Sequence, residues 1–129
     1  MNAVDTNIIV RYLTADHAEQ SEKARRLIDD QSAFVATTVV LETEWVLKSG
    51  YGLSKSERHR VLTTLAHVPT FVLEEPIRVR DALHGMADGL DFADALHLAA
   101  AAGCEAFYTF DRDLAKRATR ADAVAVRMP

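Results

Sequence analysis

The sequence predicts an α/β fold in three layers (α/β/α), with helices covering a short, mainly parallel central sheet. Short apolar stretches that suit β-strands alternate with longer amphipathic stretches that suit helices along the whole chain. Such alternation is typical of a parallel sheet covered by helices. Acidic residues also recur where a strand should end or a helix should begin, and ligand sites of open α/β folds form at the carboxyl ends of strands.

Strands are predicted from five short apolar runs, at residues 3–5, 33–36, 70–73, 106–109 and 123–126. The first helix follows the turn residues Asp-Thr-Asn at 5–7, which mark a strand end and a helix cap. Asp16 and Glu19 have the spacing of a capping box and open a second helix that runs to about Gln31.

The remaining helices are predicted from the same start and stop signals. Thr37 or Thr38 should cap a third helix that ends near the glycines at 50 and 52. Ser54 and Glu57 form a capping box for the fourth. The last three helices are predicted to run from Pro76 to Gly89, from Asp91 to about Gly103, and, as a short basic helix, from about Asp113.

Composition limits the classes of protein that fit. A chain of 129 residues with 49% hydrophobic residues is expected to form a single domain over residues 1–129 with a buried core. We expect no membrane association and no secretion signal, hence a cytoplasmic protein. Cys104, the single cysteine, allows no intrachain disulfide, and its apolar setting predicts a buried free thiol.

Four acidic positions stand out as candidate metal ligands: Asp5, Glu42, Asp94 and Asp111. Carboxylates brought together would repel one another unless a cation lay between them. Oxygen ligands suit Mg²⁺ or Mn²⁺. The set therefore predicts a metal-dependent enzyme of phosphoryl transfer.

Each acid also has an ordinary structural explanation. Asp5 suits a turn, and Asp111 suits a helix N-cap. Asp113 would lie in the first helical turn, where an acid favours the dipole. Of the two acids on the third helix, Glu42 borders the apolar stripe and is preferred for function. Glu44 could pair with a lysine four residues later.

The region around Asp94 favours a cation more strongly. Asp91 is the natural N-cap of its helix, and Asp94 then faces small apolar side chains. His97 follows three residues later, but a histidine there is more typical of a partly buried core residue than of a ligand.

Basic residues form three clusters, although the net charge of −4 argues against non-specific nucleic-acid binding. The first two clusters are expected to be solvated helix faces. The third follows Asp111 and could contact a substrate backbone, with Arg112 and Lys116 as its main candidates. The clusters are Lys23, Arg25 and Arg26; Lys55, Arg58 and Arg60; and Arg112, Lys116, Arg117 and Arg120.

The chain resembles a PIN domain of the VapC type, the toxin of a type II toxin–antitoxin pair. The matching segments are residues 4–7 (Val-Asp-Thr-Asn), Glu42 in an early helix, residues 91–96 (Asp-Phe-Ala-Asp-Ala-Leu) and residues 109–114 (Thr-Phe-Asp-Arg-Asp-Leu). The similarity covers essentially the whole chain in order and spacing. Each motif is weak alone, and the ordered combination is fairly specific.

The resemblance implies a Mg²⁺- or Mn²⁺-dependent ribonuclease that acts on RNA, is inhibited by a cognate antitoxin and forms a homodimer. It carries the role of metal-binding acid onto Asp5, Glu42, Asp94 and Asp111. An auxiliary role falls on Asp113, and the positions expected to shape the site are Thr6, Asn7 and Thr109.

Two alternatives remain open at this point. A phosphohydrolase of the HAD type would have Asp-x-Asp at its first strand end, but position 7 is Asn7 and a general acid is missing. A catalytically silent PIN-like scaffold would have no reason to keep the acids. Trp45, Leu41 and Tyr51 could mark a surface for an antitoxin or a second subunit, or could instead be extra core contacts.

Overall fold

The computed structural model describes residues 1–118 and 123–129. These residues form two compact units, Met1–Pro76 and Ile77–Pro129. Seven helices and five strands occur in the described part of the chain. None of the helices described there has the length and apolar character needed to cross a membrane.

The first unit contains a parallel sheet of three strands in the order β1-β2-β3. Ala3 pairs with Phe34, and Phe34 pairs with Val72, so the three carboxyl ends point the same way. Its elements are β1 Asn2–Ala3, α1 Thr6–Thr14, α2 Ala18–Asp30, β2 Ala33–Val35, α3 Thr37–Ser49, α4 Lys55–His67 and β3 Phe71–Leu73.

Apolar side chains from helices and strands of this unit are removed from solvent. Tyr12 on α1 meets Phe71 on β3 edge to face, with ring centroids 5.4 Å apart, a favoured aromatic geometry. The side chains with the least exposure include Ile9, Ile28, Val35, Val40, Leu47, Leu62 and Leu65. This packing fixes α1 and α3, which carry the candidate acids of the unit.

The second unit contains a parallel pair of strands. Its elements are α5 Pro76–Ala87 (whose first residue is counted with the first unit), α6 Phe92–Ala100, β4 Ala106–Tyr108, α7 Arg112–Arg117 and β5 Ala125–Arg127. Gly89 ends the α5 region in a left-handed conformation, with φ of +108°. Its N–H donates to Met86 O, while Leu90 N–H donates to Gly85 O, which is the Schellman arrangement that favours glycine.

The predicted α/β class is confirmed. All strand pairs in the described residues are parallel, and the elements occur in the predicted order with ends that differ by a few residues at most. The Ser54–Glu57 capping box is present in full. Pro76 opens α5 as predicted.

Two predicted caps are wrong. The N-cap of α2 is His17, whose ring accepts from Gln20 N–H at 3.2 Å, because the carboxylate of Asp16 is occupied by other donors. The N-cap of α3 is Ala36, which has no side chain able to cap. The Thr37 amide instead donates to Glu74 Oε1 at 2.9 Å.

Three further predictions about single side chains are wrong. Arg58 is buried rather than solvated, and its Nε lies 3.0 Å from Glu44 Oε1. Glu44 therefore pairs with an arginine on α4 and not with Lys48 on its own helix, because a buried carboxylate needs a partner that is buried with it and Lys48 is exposed. The Arg58 side chain also donates to Leu53 O at 2.6 Å. Cys104 is exposed, since it lies in the turn before β4.

Candidate functional site

Asp5 lies between the first strand and the first helix of unit one. Its backbone is extended, and its Oδ1 accepts from Thr6 N–H at 2.7 Å, which makes it the N-cap of α1. Its carbonyl accepts from Ile8 N–H at 3.1 Å and from Ile9 N–H at 3.3 Å. The cap fixes the carboxylate directly after the strand end, where ligand sites of parallel sheets form.

Glu42 lies on the exposed side of α3. The hydroxyl of Thr6, itself only 5% exposed, donates a hydrogen bond to the Glu42 carboxylate. Its helix neighbours Thr43 and Glu44 are buried. One face of α3 therefore packs into the unit, while the other presents Glu42 toward α1.

A cavity of about 360 Å³ opens beside these two acids. The sequence placed Asp5, Thr6, Asn7 and Glu42 among the candidate residues, and the first unit brings all four to this cavity. Four further residues complete the lining. The full lining is Asp5, Thr6, Asn7, Val10, Arg11, Glu42, Val46 and Tyr51.

Arg11 is the lining residue that the sequence reasoning missed. Its Nη1 donates to Tyr51 O–H at 3.0 Å and lies 3.3 Å from Asp16 Oδ1, and its Nε donates to Gln20 at 2.8 Å. Asn7 and Arg11 stand four apart on α1 and share a helix face, a spacing that could have revealed it.

Asp16 completes this hydrogen-bonded group beside the cavity. Hydrogen bonds from Thr14 and from Tyr51 lower the pKa of its carboxyl, and the charge of Arg11 acts in the same direction. Tyr51 O–H donates to Asp16 Oδ2 at 2.8 Å. Arg11 is therefore held in place as a fixed positive charge at the edge of an acidic cavity.

Asp94 is the central acid of the second unit and lies in the first turn of α6. Burial raises the pKa of its carboxyl, and the negative charges of Asp91 and Asp111 raise it further, while His97 acts in the opposite direction. Asp91 occupies the N-cap position without a side-chain cap bond. Within the described residues of this unit, no group donates a hydrogen bond to the Asp94 carboxylate.

Asp111 is the N-cap of α7, as the sequence predicted for its ordinary role. Its Oδ1 accepts from Leu114 N–H at 3.1 Å. Thr109 Oγ1 accepts from the Asp111 N–H at 3.0 Å, so the auxiliary threonine positions the backbone of the acid. Asp113 is exposed in the first turn of the same helix.

The basic cluster after Asp111 divides into two kinds of residue. Arg112 and Lys116 are exposed on α7. Arg117 has a structural role, because its Nη1 donates to Gly89 O at 3.0 Å. Arg120 lies outside the residues that the structure describes.

A second cavity, of about 290 Å³, lies in the second unit. Its wall is mainly apolar and includes Gly85, Ala95 and Leu98. Neither Asp94 nor Asp111 lines it. Its acidic lining residues are Asp81 and Asp88, so it is separate from the candidate metal ligands of that unit.

The oxygen atoms of these side chains can be compared with the ligands that divalent ions prefer. Within either unit, residues 1–118 and 123–129 contain no group of three or more His, Cys, Asp or Glu arranged to hold a metal. Each unit offers carboxylate oxygens, with the Thr6 hydroxyl nearby in the first. Such donors fit Mg²⁺ or Mn²⁺, since Mg²⁺ commonly binds through one or two carboxylates and keeps several waters.

Parallel strands with carboxylates at their ends are typical of hydrolases that use divalent ions. The family model described as PIN domain matches residues 3–120, and the chain belongs to this family. PIN domains are in general metal-dependent nucleases, which confirms the prediction of a nuclease. The HAD-type alternative is thereby excluded. None of the curated proteins matches this chain.

Proposed function

We propose that the protein is a Mg²⁺- or Mn²⁺-dependent endoribonuclease that acts as the toxin of a type II toxin–antitoxin pair. The observation that carries this proposal is the presence of Asp5, Glu42, Asp94 and Asp111 in a chain that matches the PIN family over residues 3–120. The VapC-type role is supported by the motifs at residues 4–7, 91–96 and 109–114.

The four acids are proposed as the metal-binding and catalytic residues. A bound divalent ion would polarise the scissile phosphate and lower the pKa of a water molecule. The Thr6 hydrogen bond holds the Glu42 carboxylate in place, which suits a residue that orients or deprotonates the attacking water. Asp94 has a raised pKa and lacks a donor in its own unit, which suits a carboxylate that a cation compensates.

Auxiliary positions are proposed on both units. Asn7 lines the cavity beside Asp5, and Thr109 holds the Asp111 amide. Asp113 is close enough in sequence to assist Asp111. Arg112 and Lys116, both exposed, are proposed to contact the RNA backbone.

A cognate antitoxin and a second copy of the chain are proposed as protein partners. Trp45 supports this proposal because the residue is 60% exposed, which argues against the alternative of an extra core contact. Leu41 beside it is half-buried. Tyr51 belongs instead to the hydrogen-bonded group of Arg11 and Asp16.

This partner surface has a direct optical test. Trp45 is the single tryptophan of the chain, so its emission reports on this position alone. We expect a blue shift when the antitoxin binds and a red shift when a dimer is diluted into monomers. Emission that responds to neither change contradicts the proposed surface.

We further propose that residues 1–129 act as one domain in the cytoplasm. The family match supports the single domain, because it runs from residue 3 to residue 120 and so includes most of both units. Cellular RNA is the proposed substrate, and an exposed Cys104 thiol would stay reduced there.

The decisive experiment is cleavage of total cellular RNA by the purified protein with Mg²⁺, with Mn²⁺ and with EDTA. Asp5→Asn and Asp94→Asn test one acid from each unit. Asp29→Asn, which changes an exposed acid at the end of α2, is the matched control. We expect discrete fragments that require the metal, vanish with both test variants and persist with the control. Folded protein that cuts no RNA with either metal contradicts the proposal and favours a silent scaffold.

A further inference from the structure

Two aromatic side chains are exposed immediately before Asp111. Phe110 is 81% exposed and Tyr108 is 60% exposed. Full burial of a phenylalanine side chain is favourable relative to leaving it in water. Phe110 stays exposed in the folded chain and does not receive this stabilisation, so intramolecular packing does not explain the residue. Two neighbouring aromatics also differ from the single exposed hydrophobic residues that are normal on a protein surface.

The backbone that carries these rings is fixed at several points. Tyr108 is the last residue of β4 and pairs with Arg127 of β5. Thr109 N–H donates to Arg127 O at 3.0 Å, and the Thr109 hydroxyl accepts from Asp111 N–H at 3.0 Å. Phe110 thus lies between two anchored residues, and its ring is presented at a defined distance along the chain from Asp111.

Three basic side chains lie close to this stretch along the chain or across the strand pair, beside the acidic Asp111 and Asp113. Arg112 follows Asp111 at the start of α7, and Lys116 lies one turn further on. Arg127 lies across from Tyr108 on β5. All three are exposed, and within the described residues of this unit none of them forms an ion pair. Their charge complements the phosphates of a nucleic acid.

We infer that Phe110 and Tyr108 form a stacking surface for unpaired bases of the RNA substrate, with Arg112 and Arg127 contacting its backbone. This inference rests on the proposed nuclease function and specifies how the strand is held beside Asp111. Aromatic rings stack on any base whose face is free, whereas the bases of a duplex are stacked on one another. The surface therefore selects single strands and loops over helical RNA.

The test measures binding without cleavage. An unpaired RNA 12-mer that carries 2-aminopurine is titrated with wild type and variants in EDTA, and a duplex of the same sequence is the comparison. Base stacking on an aromatic ring is worth about 1–3 kcal/mol, so we expect Phe110→Ala to weaken single-strand binding about 5- to 150-fold. Phe110→Trp should stay within about twofold of wild type, and Tyr108→Ala should give a smaller loss.

Three further measurements separate stacking from other effects. Ile77→Ala removes an exposed aliphatic side chain of the same unit, 63% exposed, and should leave binding unchanged. Arg112→Gln and Arg127→Gln should each lower the salt dependence of binding by about one ion, as expected for phosphate contacts. The 2-aminopurine emission should be quenched by wild type and not by Phe110→Ala.

Three outcomes overturn the inference. They are equal binding of the single strand by Phe110→Ala and wild type, equal binding of duplex and single strand by wild type, and a Phe110→Ala variant whose only change is a shift in oligomeric mass. The last result would assign the surface to a protein partner. Failure of the proposed function is distinguishable, because a wild type that binds through Phe110 and never cleaves would retain this inference and lose the nuclease.

Discussion

The acidic residues of the two units are held in different ways. In the first unit, Asp5 caps α1 through the Thr6 amide, and Glu42 accepts the Thr6 hydroxyl. In the second unit, Asp94 is partly buried near Asp91 and Asp111, whose charges disfavour its own. The first pair of carboxylates is therefore partly compensated by the fold, whereas Asp94 is not compensated within its unit.

This difference distinguishes carboxylates that stabilise the fold from carboxylates that destabilise it and are kept for function. A carboxylate that accepts hydrogen bonds contributes to the fold, so its removal should lower stability. A carboxylate that is buried against like charges costs stability, and sites that keep such a residue commonly use it. Glu44 marks the first extreme, since Arg58 compensates it fully, and Asp94 marks the second.

The largest effect on stability is expected for the buried pair of Glu44 and Arg58. Arg58→Ala leaves Glu44 buried without its partner and should lower the free energy of unfolding by about 3–5 kcal/mol. Urea denaturation measures this loss. Glu44→Leu combined with Arg58→Leu should recover most of it, because no uncompensated charge is left. A loss below about 1 kcal/mol for Arg58→Ala would show that the pair behaves like a surface ion pair.

Asp111 and Asp113 should differ in their effect on cleavage. Asp111→Asn removes a proposed metal ligand while keeping a residue that can cap α7, and should lower the cleavage rate at least about 100-fold. Asp113→Asn changes an exposed acid in the same turn and should cost less than about tenfold. Single-turnover kinetics on a defined RNA measure both. Equal losses would assign Asp113 the same role as Asp111.

Two substitutions can separate the helix-capping role of Asp5 from its proposed metal-binding role. In the metal-free protein Asp5→Ala should lower stability by about 1 kcal/mol because the cap of α1 is lost. Asp5→Asn should leave stability nearly unchanged, since asparagine caps equally well. Both should abolish cleavage. Thermal unfolding in EDTA measures the stability of both variants, and their RNA cleavage is measured in parallel. Normal cleavage by the asparagine variant would contradict the proposed metal-binding role of Asp5.

Asp94→Asn should have the smallest and opposite effect on stability. The raised pKa means that the folded chain holds this proton to higher pH than the unfolded chain does. Stability therefore falls as pH rises from about 3.8 through the raised pKa, and stays lower above it. At neutral pH in EDTA, Asp94→Asn should raise the melting temperature by about 1–4 °C, and the gain should disappear near pH 3.

The melting temperature of Asp94→Asn is compared with that of wild type and of a control variant. Asp29→Asn, an exposed acid on α2, should show no comparable gain at neutral pH. A melting temperature that falls on Asp94→Asn substitution would mean that the fold compensates this carboxylate, and the contrast between the two units would then fail.

The sequence predicted features that depend on neighbouring residues. Asp111, Ser54 and Pro76 mark helix starts because a cap or a fixed φ acts within one turn of the chain. The parallel arrangement followed from alternating patterns, which are also local. The candidate acids could be chosen because strand ends and helix starts can be located in this way.

Contacts between distant segments could not be predicted in the same way. The Glu44 pair with Arg58 and the Thr6 bond to Glu42 join different helices, and the choice of partner depends on packing. Spacing along one helix suggested Lys48 for Glu44, but a buried arginine satisfies the charge better. Cys104 was misplaced because an apolar neighbourhood in sequence does not determine which side of a turn faces solvent.

Metal binding by the acids is the central claim, and Mn²⁺ titration followed by electron paramagnetic resonance tests it most directly. We expect wild type and Asp29→Asn to bind Mn²⁺ alike, with Mg²⁺ competing. Asp5→Asn and Asp94→Asn should each weaken binding at least about tenfold. Binding that is unchanged in both variants, in protein that remains folded, would contradict the assignment of these carboxylates as metal ligands.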